Sequence, residues 1–334
     1  MNKHVVLNMI LGKPAELFSE NFRKKYDFRQ NPFGKWLNEE ELISVIKDVD
    51  AVVAASEPYT ARVFDAAPKL KIIARFGVGY DNVNIPEATR HGVFVTILPG
   101  VNAETVAEHT LALIYAVARG IVDCVKSTRP ETWTSVQKKY YSTHTPFELY
   151  GKTLGIIGLG AIGTRVAKLC SGLDMKILAF DPYTKPEKAK EVNAELVSLE
   201  RLLREADIVT IHCPLTHETR HLIGEKELKI MKKNAILINA ARGPIVDEKA
   251  LYKALKEGWI LAAGLDVMEK EPPELDNPLF TLENVIITPH VGGASLENFM
   301  RCDAIIEEQI EQALRGEVPK FALNPEAINY IKKK

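Results

Sequence analysis

The segment GKTLGIIGLGAIGTRVAKLC, residues 151–170, constrains this chain more than any other. An apolar run, TLGII, leads into Gly158, Gly160 and Gly163 at the spacing G-x-G-x-x-G, and TRVAKLC continues with helical periodicity. Strand, glycine turn and helix in that order form a dinucleotide-binding unit. The first glycine permits the tight turn, the second lets the backbone approach a pyrophosphate, and the third lets helix and strand pack closely. The first N–H groups of the helix then face the anion. Asp181 ends the next apolar strand, KILAFD, where a carboxylate accepts hydrogen bonds from a ribose diol. The same carboxylate repels a 2′-phosphate, and the following PYT supplies no arginine to hold one. The reading is therefore NAD rather than NADP, although Lys185 stands nearby.

Such a turn normally opens a domain, yet this segment begins only at residue 151. Before it, the apolar runs HVVLNMI, DAVVAAS, KLKIIARFG and VFVTIL alternate with helix-like stretches: one near 15–25, then EEELISVIKDV and NIPEATRHG. Short Val/Ile runs separated by helices predict a mainly parallel sheet, so the leader is a domain in its own right. From the glycine turn onward, TLGII, KILAFD, DIVTIHC, AILINAA, ILAAGLDV and NVIITPH predict a six-stranded doubly wound unit. Residues 102–127 predict a long helix, apolar round much of its circumference and therefore buried between layers or subunits. The stretch TRPETWTSVQKKYYSTHTPFELY has no clean period and reads as a loop or arm. A final helix over about 295–315 starts behind Ser295 as N-cap.

Bulk properties narrow the function classes. A chain of 334 residues exceeds one ordinary core and fits about two domains. With 43 basic against 44 acidic residues, the net charge of −1 gives no electrostatic reason to expect nucleic acid. Cys124, Cys170, Cys213 and Cys302 show no paired spacing, which argues against a disulfide framework and a C-x-x-C zinc site and favours a cytoplasmic setting. No run approaches the roughly 20 apolar residues of a membrane helix, so no membrane is expected. HCPLTHETRH gathers His212, Cys213, His217 and His221, but Pro214 stops a helix from spanning them. His217 and His221 could share a helical face, yet two ligands do not close a site, so no metal is expected.

Three polar residues follow apolar strands: Arg242 after AILINA, Glu271 in the turn after GLDV, and His290 after NVIIT, with Gly292 and Gly293 leaving backbone room beside it. Taken singly, each has a plain reading as a salt bridge, a solvated loop residue or a packing histidine. Together they supply a cation for a carboxylate, an acid–base group and its carboxylate partner at the strand ends where open α/β sheets bind ligands.

The segments ARFGVGYDNVNIPEATRHG, GVNAETVAEHTLAL, GKTLGIIGLGAIG, NAARGPIVDEKAL, GLDVMEKEPP and TPHVGGAS resemble the D-isomer-specific 2-hydroxyacid dehydrogenase family. The likeness is greatest to its phosphoglycerate dehydrogenase and glyoxylate/hydroxypyruvate reductase branches. The resemblance implies an α/β protein of two doubly wound domains, with a Rossmann NAD-binding domain (100–293) inserted into a flavodoxin-like substrate domain (1–99 and 294–334). The active site would lie in the cleft between the lobes. It implies that Arg242 binds the substrate carboxylate, His290 exchanges the proton and Glu271 pairs with His290. Gly77, Val78 and Gly79 would hold the carboxylate through backbone N–H groups. Ala161 and Ile162 would sit at the pyrophosphate, Cys213 and Pro214 at a strand end beside the cofactor, and Ala240 and Ala241 beside the nicotinamide. Arg242, His290, Gly292 and Gly293 would border it, and Asp266 would meet the carboxamide. The substrate expected first is 3-phosphoglycerate, with Arg75 as a candidate phosphate ligand or a cap on strand packing; the alternative is glyoxylate or hydroxypyruvate. A homodimer through the 102–127 helix is also implied. No regulatory domain of the kind some phosphoglycerate dehydrogenases carry is expected after the last helix. An NAD-sensing corepressor-like binding protein is the reading from another class, and nothing resembling its disordered interaction tails stands in the sequence.

Overall fold

The computed structural model describes residues 3–12, 17–142 and 147–331. Two compact units form, Met1–Asn102 with Ser295–Lys334 and Ala103–Ala294. The first carries strands β1 (Val5–Asn8), β2 (Asp27–Gln30), β3 (Ala51–Ala54), β4 (Ile72–Arg75) and β5 (Phe94–Thr96) in the order β2-β1-β3-β4-β5. All pairings are parallel, the flavodoxin-like order. Both faces are covered, so alternate residues enter different cores: Val5, Leu7, Val52 and Ala54 on one side, and Val6, Ala51 and Val53 on the other. The second core is closed by the helix Leu296–Leu314 through Cys302, Ile306 and Ile310. That helix begins as the sequence predicts, with Ser295 Oγ accepting the Asn298 N–H.

The second unit carries β6 (Thr153–Ile157), β7 (Lys176–Phe180), β8 (Ala194–Leu196), β9 (Ile208–Ile211), β10 (Ile236–Asn239), β11 (Ala262–Leu265) and β12 (Val285–Ile287). Its order is β12-β11-β10-β9-β6-β7-β8, a doubly wound sheet whose direction of winding reverses between β6 and β9. Seven strands replace the six expected. The extra one, β8, has three residues and only one buried, too short to show a period. Likewise β2 was missed because DFRQ is polar and incompletely buried at a sheet edge.

Two further expectations are corrected. The 102–127 segment is not one helix but Ala103–Ala118 and Ile121–Ser127, bent by 65° at Gly120, which has φ +57°. Much of its apolarity is used inside its own unit, where Ala107, Leu113, Ile114 and Val117 enter the sheet's core. The arm is not all loop: a 3₁₀ turn, Pro130–Thr132, leads into the helix Trp133–Ser142. That helix buries no residue, so it has no apolar stripe for sequence to reveal. Residues 143–146 of the arm, and 15–16 of the first expected helix, lie outside the described residues. Among the described residues no single helix is long and apolar enough to cross a membrane.

Candidate active site

The glycine turn sits where the strand order reverses. Gly158 has φ +93°, and a Cβ there would lie 2.6 Å from the Cys213 nitrogen and 2.8 Å from the carbonyl carbon of His212. The end of β6 can therefore touch the end of β9 only through a glycine. A Cβ on Gly163 would lie 2.1 Å from the Gly158 oxygen, so the third glycine brings the helix Ala161–Ser171 down onto the turn. At Gly160 the situation is opposite: nothing lies within 4 Å of the corresponding point. Gly160 is the N-cap of that helix and offers no side-chain cap, so the first N–H groups, at Ala161 and Ile162, have no side-chain partner there and are the kind of donors that an anion accepts from.

Asp181 completes the turn. Its carboxylate accepts the N–H of Leu159 at 2.8 Å, of Tyr183 at 2.9 Å and of Thr184 at 3.0 Å. Burial pushes its carboxyl up, but those bonds more than offset it and hold the group below the ordinary carboxylate range. Three bonds leave part of an ionised carboxylate's acceptor capacity for a ribose hydroxyl. Behind the turn, burial pushes the His212 imidazole down to about 3 and the Cys213 thiol up to about 11. Neither is a proton donor or thiolate at neutral pH. Pro214 turns its carbonyl to Thr219 Oγ1 at 2.7 Å.

Arg242, Glu271 and His290 follow the adjacent strands β10, β11 and β12. His290 Nδ1 lies 2.6 Å from Glu271 Oε2, and Glu271 Oε1 accepts the Met268 N–H at 3.0 Å. An ionised carboxylate only accepts, so Nδ1 carries its proton in that bond and Nε2 is the nitrogen not engaged with Glu271. The His290 side chain is 43% exposed, which leaves it open to a ligand. The Arg242 turn is built on Asn239, whose Nδ2 donates to the Arg242 carbonyl at 3.0 Å and whose Oδ1 accepts the Ala241 N–H at 3.1 Å. Arg242 Nη1 folds back to the Ala241 carbonyl at 2.8 Å, beside Ala240. A Cβ on Gly243 would lie 1.9 Å from the Met268 oxygen, so the turn bearing Arg242 rests directly on the segment leading to Glu271.

The loop bearing His290 is anchored by Asp266, 2% exposed at the end of β11. Its carboxylate accepts from Thr288 Oγ1 at 2.7 Å, Val291 N at 2.9 Å and Gly292 N at 2.8 Å, with His109 Nε2 at 3.2 Å. A side chain on Gly292 would meet Asp266 Oδ2 at 2.8 Å; Gly293 follows it in the turn. His290 itself has φ +54°, a conformation uncommon outside glycine and sustained here by its surroundings. The Asp266 carboxylate is the one for which the resemblance implies a carboxamide contact. Burial pushes its carboxyl up, while the bonds from His109, Thr288, Val291 and Gly292 outweigh burial and hold it low.

In the first unit, Gly77 follows β4 with φ +148° and open space at its Cβ position, ahead of Val78 and Gly79. Arg75 is 9% exposed and its Nε donates to the Gly79 carbonyl at 2.9 Å. Through that bond the guanidinium braces its own turn.

The family profile described as D-isomer specific 2-hydroxyacid dehydrogenase, NAD binding domain, matches residues 111–292. A glyoxylate reductase of Korarchaeum cryptofilum is 46% identical over 288 residues, 86% of this chain and 86% of that one. The chain belongs to the D-isomer specific 2-hydroxyacid dehydrogenase family. It is accordingly an NAD-dependent oxidoreductase of 2-hydroxy acids. A D-3-phosphoglycerate dehydrogenase of Methanocaldococcus jannaschii is also 46% identical, over 86% of this chain but 54% of that one. Among solved structures, the D-lactate dehydrogenase of Escherichia coli in its apo form matches with a TM-score of 0.82 at 28% identity, over 96% of this chain and 99% of that one.

Sequence reasoning missed His109, Asn239 and Thr288 as supports of this dehydrogenase site. Each left a faint mark: a histidine within the apolar helix 103–118, an asparagine closing the apolar run AILIN, and the threonine of TPH. His109 and Thr288 do not state their shared partner Asp266, which lies far off in sequence, whereas Asn239 bonds locally to Ala241 and Arg242.

Proposed function

We propose that the protein reduces a small, unphosphorylated 2-oxo acid of the glyoxylate class to its 2-hydroxy acid. The observation that carries the chemistry is the His290–Glu271 pair at 2.6 Å, on a loop fixed by Asp266. Bound NADH supplies the hydride. The protonated His290 donates from Nε2 to the carbonyl oxygen as that oxygen gains charge, and Glu271 stabilises the imidazolium from the other side. Arg242 holds the substrate carboxylate by parallel N–H···O bonds and so orients the carbonyl. The balance is one 2-oxo acid, one NADH and one proton giving one 2-hydroxy acid and NAD.

Supporting a small substrate are the relatives named glyoxylate reductase, matched over nearly the same share of both chains. The second reading, 3-phosphoglycerate, is favoured by the Methanocaldococcus relative. Absorbance at the NADH band distinguishes them. The proposal expects oxidation of NADH with glyoxylate or hydroxypyruvate at a kcat/KM at least about tenfold above that for NAD reduction with 3-phosphoglycerate, a difference of about 1.4 kcal/mol. The reverse ranking supports the second reading, and no turnover with any of them refutes both.

A further inference from the structure

We infer that His221 is a positioning residue for Arg242 and Glu271, joining the two turns that carry them; the inference rests on the roles proposed above for that pair. His221 stands in the turn between β9 and the helix Glu225–Ile230, in the segment considered above for metal ligation. It is not helical: its φ is +52°, and its imidazole Nε2 meets Glu269 Oε1 at 2.8 Å. Among the described residues, non-glycine positive φ occurs at Asp174, Asn193, His221 and His290. Histidine enters that region more readily than most side chains, as aspartate and asparagine do, so at His221 it is the attachments that matter.

For His221 the attachment is double. Its backbone N–H donates to the Pro244 carbonyl at 2.8 Å, two residues past Arg242. The same strip continues, with Ile223 N–H donating to the Ile245 carbonyl at 3.1 Å and Asp247 N–H to the Ile223 carbonyl at 3.0 Å. Its side chain meanwhile reaches Glu269, two residues before Glu271. Glu269 is held from its other side as well, its N–H donating to Glu248 Oε2 at 2.8 Å. The left-handed conformation aims the backbone bond at the Arg242 turn and the imidazole bond at the Glu271 turn. Strain kept at such a point is the mark of a constraint that the rest of the fold enforces.

The test separates backbone from side chain. His221→Gly keeps the left-handed backbone and loses the imidazole; Glu269→Ala removes the acceptor; Glu269→Gln retains an acceptor oxygen. Steady-state reduction of the best 2-oxo acid, NADH binding by fluorescence and amide exchange at residues 268–271 are measured on the whole chain. The expected result is a fall in kcat of about 10- to 100-fold in His221→Gly and Glu269→Ala. NADH affinity is unchanged, exchange at 268–271 is faster, and Glu269→Gln stays within about threefold of wild type. Wild-type kcat in His221→Gly, or Glu269→Gln as impaired as Glu269→Ala, overturns it. Should His221→Gly fail to fold, the two Glu269 variants decide. If the wild-type protein reduces no 2-oxo acid, the functional reading falls, while amide exchange in the same variants still tests the clamp.

Discussion

The turn Gly158–Gly163 and the loop Thr288–Gly292 hang on the carboxyl edge of one sheet, yet they are held in different ways. The first is shaped chiefly by what its residues lack. Gly158 and Gly163 have no Cβ, and a methyl at either would meet backbone at 2.6 Å or 2.1 Å. The second is shaped by what a remote residue supplies: Asp266 gathers Thr288, Val291 and Gly292, and His109 joins it from another helix. A site fixed by local geometry is written in a short motif. A site fixed by a buried carboxylate is spread over the chain.

The largest expected effect is at the first region. Gly158→Ala should cost about 2–4 kcal/mol of stability, because the new methyl strikes Cys213 and φ is +93°. Denaturant melts measure it, and a loss under 0.5 kcal/mol would show that the turn gives way. Next comes the second region. Asp266→Asn should cost about 2–3 kcal/mol, since an amide cannot accept all the donors that the carboxylate does. It should also change the pH dependence. The native carboxyl is held below its unfolded value, so its contribution is complete above about pH 4 and is lost as pH falls through the lower native value. Wild type should therefore lose stability over that acid range more steeply than the variant; equal slopes would remove Asp266 as the charged anchor. Smallest is Gly160→Ala, about 1 kcal/mol or less, because the space there is open. Calorimetry should nonetheless find NADH binding weakened at least tenfold. Unchanged binding would separate that opening from the cofactor.

This contrast explains what could be read before any coordinates. The glycine turn, Asp181, Arg242, Glu271 and His290 stand out because each ends an apolar run or fits a short spacing. The parallel sheets follow from Val/Ile runs, whereas β2 and β8 escape because a polar or three-residue strand carries no period. The helix Trp133–Ser142 escapes because it buries nothing. His109 was invisible as a support for a further reason: a hydrogen bond between a helix residue and the end of β11 leaves no trace in either segment alone. Arg75 was legible as a cation, but the carbonyl it binds is a backbone atom that sequence does not mark.

The central claim is that His290, steered by Glu271, delivers the proton during reduction. Stopped-flow NADH oxidation with saturating glyoxylate, comparing wild type with His290→Asn, tests it most directly. The account predicts a bound NADH signal in both proteins and a first-turnover rate lower by about 10²–10⁴ in the variant. Equal rates in the two proteins would contradict it.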